Sequence, residues 1–489
     1  MEAPIPFTPT QESGFEPLGG ASPVALNVVV SGKGVVERRP GIEACLPYPS
    51  GVISDGPIEA VYQEIGGAVF AFGSRADAPE AERQHWWTRL PDSPLGHVYW
   101  ATRIHGQARP VFAQLADNGY VTQSAVTAGA KPHRIYSASY GVAWGLGLFG
   151  TSGWGDIGDV DTWIEMPTCT HVVAMSSRLL ANELRYGAER VRYSEIADYN
   201  TWSAGLGTAG AFTAENSPDP LVALDRTREY LFAFGSQTTQ VFSPDPTWVF
   251  APVLTIPVGC SAPYSIIDCE YWIDQYKRVV RYQDGVASSV SSPIQAVLDR
   301  MTVSDAYGFR AELGAARCFV WVFPTDGRTF VLQEGVGWGQ WQSGVPERAQ
   351  FQVNAHCRLA SGENLVGTLS GRVGKLSMAA ATDFGDAVQA RVETGYLARE
   401  TSRRKVCKKL TVVLERGISS NPATAIVGYR DRPGPWRCRI PISLGSHGKT
   451  THTLSFRNLG VYDRRQWFFE FSGAERLALV SATEEYEVI

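Results

Sequence analysis

A chain of 489 residues with 44 basic and 49 acidic side chains has a formal net charge of −5, so no overall cationic field draws it to nucleic acid. Its 44% hydrophobic content is enough to bury a core, while 19% charged residues, 49 glycines and 29 prolines mark a chain dense in turns. With 14 tryptophans, 19 tyrosines and few apolar residues at helical spacing, the predicted class is mainly β.

The opening residues Met1-Glu2-Ala3-Pro4-Ile5-Pro6 have neither the basic start nor the apolar stretch of a signal peptide, and their prolines predict an extended arm over residues 1–25. No apolar run approaches the ~18 residues of a membrane span. Leu26-Asn27-Val28-Val29-Val30 reads as a strand, and a second strand ends at Arg38-Arg39-Pro40-Gly41. A hairpin is expected from Glu59-Ala60-Val61-Tyr62 and Val69-Phe70-Ala71-Phe72. Residues 74–97, polar and proline-bearing, read as a long loop, and residues 141–161, rich in glycine, as an irregular insertion.

Further along, Leu179-Leu180-Ala181 should pair with Val191-Arg192-Tyr193-Ser194, and Tyr230-Leu231-Phe232-Ala233-Phe234-Gly235 with Gln240-Val241-Phe242. Residues 256–341 alternate strands and turns around one short helix. Ser292 and Gln295 form a capping box, Pro293 sits at the first helical position, and Ile294, Val297, Leu298 and Met301 make an apolar stripe about two turns long. Tryptophans at 154, 202, 248, 341 and 436 are spaced near multiples of the roughly 40–50 residues of a propeller blade. After Asp386 the alternation becomes clean, as in Leu410-Thr411-Val412-Val413-Leu414. The predicted layout is an arm (1–25), a β-propeller-like domain (26–385) with insertion loops at 74–97 and 141–161, and a C-terminal β-sandwich-like module (386–489).

Motifs for chemistry are sparse. Gly145-Leu146-Gly147-Leu148-Phe149-Gly150 matches GxGxxG, but the following Thr151-Ser152-Gly153-Trp154-Gly155 cannot start the helix that a pyrophosphate needs. The eight histidines show no HxH or HExxH spacing, and no GxSxG occurs. The reading is therefore a non-enzyme with no catalytic residues, cofactor or metal. Eight cysteines without a CxxC are expected as buried, reduced thiols. Arg399, Arg403, Arg404, Lys405, Lys408 and Lys409 are the candidate interface. Strict alternation over 405–414 would send Lys405 and Lys409 to the face opposite Val406, Lys408 and Leu410. Such cations serve either as a solvated, edge-protecting strand face or as a contact to DNA or an acidic partner subunit. The segment Tyr429-Arg430-Asp431-Arg432-Pro433-Gly434-Pro435-Trp436 resembles a decayed Asp-box turn, whose tryptophan packs under a hairpin.

Several of these segments, in this order, resemble the packaged-DNA-stabilisation (tail nozzle, head-completion) proteins of short-tailed phages. They are Arg39-Pro40-Gly41-Ile42; Val191-Arg192-Tyr193-Ser194-Glu195 with Asp198 and Thr201-Trp202; Leu231–Phe242; Ser291-Ser292-Pro293-Ile294; Gly337-Trp338-Gly339-Gln340-Trp341; and Leu459–Trp467 with the closing strand Leu477–Val480. Residues 46–190 match little, and a basic turn at 429–436 replaces an acidic one of some relatives.

The resemblance implies a propeller-containing virion subunit in the tail, assembled in the host cytoplasm as a homo-oligomeric, commonly hexameric ring below the portal and adaptor. Such a ring retains packaged DNA, contacts genomic DNA in its lumen without sequence specificity, takes part in DNA ejection and docks tail spikes or fibres. The alternatives are a sialidase-like or carbohydrate-binding β-propeller, which needs arginines and an acid–Tyr pair in a central pocket, and a receptor-binding fibre, which needs repeats and a stalk.

Overall fold

The computed structural model describes residues 1–5, 25–31, 35–44, 56–63, 69–74, 85–90, 99–100, 109, 111–115, 118–122, 133–136, 169–183, 188–197, 202, 208–214, 219–344, 350–399, 401–417, 423–444, 450–473 and 475–489. Among them, seven antiparallel strand groups follow one another along the chain as the blades of a β-propeller, five as separate small sheets and two within larger ones. Blade 1 comprises Ile58–Gln63, Val69–Ser74, His85–Leu90 and Tyr99–Trp100. Blade 2 comprises Val111–Leu115, Asn118–Thr122 and His133–Tyr136. Blade 3 runs from Val172–Met175 to Gly210–Thr213, blade 4 from Leu221–Arg226 to Val249–Ile256, and blade 5 from Tyr271–Ile273 to Val286–Ser289. Blade 6 holds Tyr307–Leu313 through Gly337–Gln340. Blade 7 holds Val353–Arg358, Asn364–Thr368 and Val373–Ser377, and its fourth strand is Gly41–Ala44 from the N-terminal region, with Leu376 opposite Ile42. The first strand of blade 7 packs on the first strand of blade 1, closing the ring.

Blade strands are buried on both faces, which explains their continuous apolar runs. In Ala316–Phe323, Phe319, Trp321 and Phe323 face the core shared with blade 5, while Cys318, Val320 and Val322 face the core toward blade 7. Likewise Leu231 and Ala233 point toward blade 3 and Phe232 and Phe234 toward blade 5. Period two is kept, but both faces are apolar.

The C-terminal module is a sandwich of two sheets. One contains Val28–Val30, Val36–Arg38, Leu477–Val488, Lys405–Arg416 and Thr451–Arg457, with Glu2–Pro4 and Val461–Tyr462 added alongside. The other contains Ala25–Leu26, Gln389–Glu393, Gln466–Gly473, Ala423–Arg430 and Arg437–Ser443. Leu410, Val412, Leu414 and Leu479 meet Val427, Trp467, Phe469 and Phe471 in its core. Ala25–Leu26 also pairs in parallel with Gly337–Gln340 of blade 6, so blade 6 and one sandwich sheet form a continuous nine-stranded sheet.

Local pairings follow the sequence. Leu180 stands opposite Tyr193, Leu231 opposite Phe242, and Val61 opposite Ala71. Five expectations are corrected. The strands over residues 25–38, expected in the propeller, belong to the sandwich, because their partners are the distant strands Gln389–Glu393 and Leu477–Val488. Of the arm, residues 1–5 are a sandwich strand with Ile5 buried in that core; residues 6–24 lie outside the described residues. Within the expected loop 74–97, His85–Leu90 is a strand paired with Val69–Ser74. The helix is shorter than its stripe suggested: a 3-10 turn at Ser292–Ile294 precedes one α-turn at Gln295–Leu298, and Ser291, not Ser292, donates its hydroxyl hydrogen to Gln295 Oε1 at 2.7 Å. Leu298 and Met301 still anchor it in the core. The tryptophans are not equivalent blade markers either, since Trp202 is fully buried and Trp248 is 74% exposed at a hairpin tip. The GxGxxG segment and the 141–161 insertion lie outside the described residues.

Candidate interface and axial site

The junction between propeller and sandwich is built on Arg39. Pro40 biases Arg39 toward an extended backbone, and its side chain, 1% exposed as a residue, reaches Asp383 at the end of blade 7. Nη1 donates to Asp383 Oδ1 at 3.0 Å and Nη2 to Oδ2 at 2.5 Å; Nε and Nη2 also reach Asn27 Oδ1 and the Gln342 carbonyl. Ser343 donates its hydroxyl hydrogen to the same carboxylate at 2.9 Å. Gly41 follows where only a hydrogen fits, because a Cβ there would run into the backbone carbonyls of Thr382 and Ala380.

The six candidate interface cations do not form one patch. Arg399 points inward, donating from Nη2 to buried Glu484 at 3.0 Å and from Nη1 to the Pro4 carbonyl at 2.7 Å. Lys405 is fully buried, its ammonium donating to the carbonyls of Thr401 (2.8 Å) and Arg403 (2.7 Å) beside the Tyr462 ring. Desolvation holds its pKa below the ordinary lysine value. Lys408 pairs with Glu487 at 2.6 Å on the open surface, and Lys409 lies half-buried opposite Glu485. Arg403 and Arg404 are exposed.

The expected alternation fails because a bulge between Cys407 and Lys409 shifts the register against Leu477–Val488. The extra residue resets the inward face from Lys405 and Cys407 to Leu410, Val412 and Leu414. Lys405 thus shares the inner face with Leu410 rather than opposing it.

The Asp-box-like turn has a structural role. Trp436 packs edge-on against Phe468 with Arg430 4.2 Å above its ring, and Asp431 accepts a 2.7 Å bond from buried Arg465. Cysteines 169, 260, 269, 318 and 407 are buried free thiols and Cys357 is half-buried. Burial pushes the thiols of Cys169, Cys260, Cys318 and Cys407 up to about 12. Cys45 and the side chain of Cys438 lie outside the described residues. Among the described residues no group of three His, Cys, Asp or Glu side chains is arranged to hold a metal, and no helix is long and apolar enough to cross a membrane.

A second cluster, which sequence reading passed over, forms where inner strands of several blades begin. Arg109, just before blade 2, donates from Nη2 to Asn354 Oδ1 at 2.6 Å and from Nη1 to the carbonyls of Asn354 in blade 7 and Glu59 in blade 1. Its guanidinium carbon lies 4.3 Å from the centre of the Tyr307 ring of blade 6. One side chain thus gathers blades 1, 6 and 7 to blade 2 where their inner strands begin, around the propeller axis.

Around it, the Tyr307 hydroxyl accepts the backbone N–H of His356 at 2.9 Å, and His356 stacks on Phe309 with ring centres 4.5 Å apart. His171, preceding blade 3, stacks on Tyr264 of the turn that opens blade 5. Burial pushes Tyr307 up to about 12 and both His171 and His356 down to about 4, so both imidazoles are neutral at pH 7. Desolvation also lowers the Arg109 pKa, and Tyr307, Glu59, Tyr264 and Asp305 oppose the shift. The one sequence cue was the dipeptide Arg109-Pro110 ahead of Val111-Phe112, the same Arg-Pro step that precedes the Gly41–Ala44 strand.

No protein-family model and no curated sequence matches the chain. Among solved structures, the N-terminal domain of Nup159 is similar at 8% identity with a TM-score of 0.39, covering 73% of this chain and 99% of that one. The WD40 β-propeller domain of Doa1 is similar at 10% identity with a TM-score of 0.34, covering 66% and 94%. An auxiliary nutrient binding protein from Bacteroides thetaiotaomicron is similar at 9% identity with a TM-score of 0.38, covering 66% and 69%. At such identities and scores these likenesses leave function unaddressed.

Proposed function

We propose that this chain is a structural subunit of a short-tailed phage virion, a tail nozzle or head-completion protein whose ring retains packaged DNA and offers docking surface for tail spikes or fibres. The observation that carries the reading is the weld between its two halves. A nine-stranded sheet shared by blade 6 and the sandwich, together with the buried Arg39–Asp383 pair, ties the two halves to each other at the junction. Domains joined by small polar contacts move relative to one another; a subunit that seals a pressurised channel is better served by a continuous sheet. The ordered sequence resemblance adds to this, since its Arg39-Pro40-Gly41 element is the piece that builds the weld.

A ring of identical subunits closes through a heterologous, head-to-tail contact. Arg403 and Arg404 are the exposed cations of the basic segment and are assigned to that contact, or to docking on the portal–adaptor complex, where they would meet carboxylates. Lys405 is excluded, because its ammonium is internal. The mildly acidic chain leaves exiting DNA without strong counterion-release binding.

The test is genetic and structural together. Particles lacking the protein should package DNA and then lose it, and Arg403→Glu with Arg404→Glu should impair assembly on the portal–adaptor complex while leaving the fold intact. Particles that hold their genome normally without the protein overturn the retention role; wild-type assembly of the double variant overturns the interface. The alternative of a carbohydrate-active propeller is favoured by one feature, the Arg109–Tyr307 contact at the axis. Turnover of a glycan by the purified chain, abolished by a single substitution there, would establish it instead.

A further inference from the structure

A guanidinium has five N–H donors in a fixed fork. Three of those on Arg109 are committed: Nη1 to the Asn354 and Glu59 carbonyls, and Nη2 to Asn354 Oδ1. Because Asn354 takes the end between Nη1 and Nη2, the two remaining donors, Nε–H and the second Nη2–H, lie together on one edge. They point the same way at the spacing of two carboxylate oxygens, the side-on geometry by which arginine holds carboxylates and phosphates.

All three accepting groups of Arg109 are neutral, and among the described residues it forms no ion pair, although buried charges are ordinarily paired. Of the buried arginines, Arg39, Arg391, Arg416 and Arg465 pair with carboxylates, whereas Arg38 and Arg178, among the described residues, also donate only to neutral oxygens. Arg109 keeps part of its surface open, and the aromatic rings of Tyr307 and Tyr264 lie in its neighbourhood.

The geometry points to an oxyanion-binding site at the propeller axis, in which the free Nε/Nη2 edge of Arg109 takes a carboxylate or phosphate group of a small ligand beside the Tyr307 ring. The ligand supplies the missing counter-charge, so binding and stability are linked: an anion that binds the folded chain raises its melting temperature with concentration. This assignment does not depend on the virion role, and a chain that fails one test can pass the other.

The experiment uses the full chain and two readouts. Calorimetric titration and thermal melts compare acetate, glucuronate and inorganic phosphate with chloride at equal ionic strength. Saturable binding with a concentration-dependent rise in melting temperature is expected for at least one oxyanion. Acetate and glucuronate against phosphate separate a carboxylate ligand from a phosphate ligand, and glucuronate against acetate reads the contribution of a ring beside Tyr307.

Arg109→Lys keeps the charge but loses the fork, and should weaken that binding about tenfold or more. Should this variant not fold, the wild-type chain still answers through arginine-specific labelling with phenylglyoxal, mapped by mass spectrometry. Arg109 should be labelled in chloride and protected by the binding oxyanion. Melting curves identical in all salts, or labelling of Arg109 that no oxyanion slows, overturn the site.

Discussion

The junction and the propeller axis each hold an arginine that precedes a proline, buried at the junction and half-buried at the axis, and they treat its charge differently. At the junction Arg39 meets Asp383 in a two-point contact, with Asn27, Gln342 and Ser343 filling the remaining bonds. The sandwich repeats that solution, pairing Arg399 with Glu484, Arg416 with Glu475 and Arg465 with Asp431. Around the axis Arg109 rests on neutral oxygens and a tyrosine face, and the nearby titratable groups His171 and His356 are held uncharged. Charge pairing fixes register where two sheets must lock. An incompletely satisfied cation is tolerated where strand beginnings converge and a ligand can complete it.

The largest expected effect comes from breaking the junction. Arg39→Ala strands a buried carboxylate and should cost about 3–5 kcal/mol, read as a shift in denaturation midpoint. Pairing it with Asp383→Leu removes the orphaned charge and should recover much of that loss. A double variant as unstable as the single one would mean that packing by Arg39, rather than its charge, holds the junction.

The pH dependence sharpens the comparison next. His171 and His356 have folded pKa values lowered to about 4, so the native state binds fewer protons than the unfolded chain between pH 6.5 and 4. Their contribution is present above about 6.5 and lost as pH falls through that window. Asp225 acts in the opposite sense: burial raises it to about 6, so its ionisation weakens the fold as pH rises from 3.8 to 6. Asp225→Asn should therefore stabilise the chain by about 1–3 kcal/mol at pH 7 and change little at pH 3.5. Urea melts at the two pH values check this, and equal effects at both would overturn the assignment.

The smallest effect is expected at the axis. Arg109→Met gives up three hydrogen bonds to neutral acceptors but also removes a desolvated charge, for a net cost of about 1–2 kcal/mol in chloride buffer. A loss as large as that of Arg39→Ala would make Arg109 a structural pin rather than a poised ligand group.

What the sequence by itself determined is short-range. The β class and the hairpins joining Leu180 to Tyr193, Leu231 to Phe242 and Val61 to Ala71 were legible because turn residues and alternation set the register between neighbouring segments. The burial of the thiols of Cys169, Cys260, Cys269, Cys318 and Cys407 followed from their residue type. Tertiary structure alone decided the rest. Gly41–Ala44 completes blade 7, and Ala25–Leu26 joins blade 6 to the sandwich; both pairings link strands more than 300 residues apart, and neither partner carries a local mark of the other. The bulge at Cys407–Lys409 turned Lys405 inward against the alternation, because the edge it pairs with, not its own composition, sets where the extra residue falls. Arg109 became a candidate site for the same reason: whether an arginine finds a carboxylate depends on which strands of other blades arrive beside it.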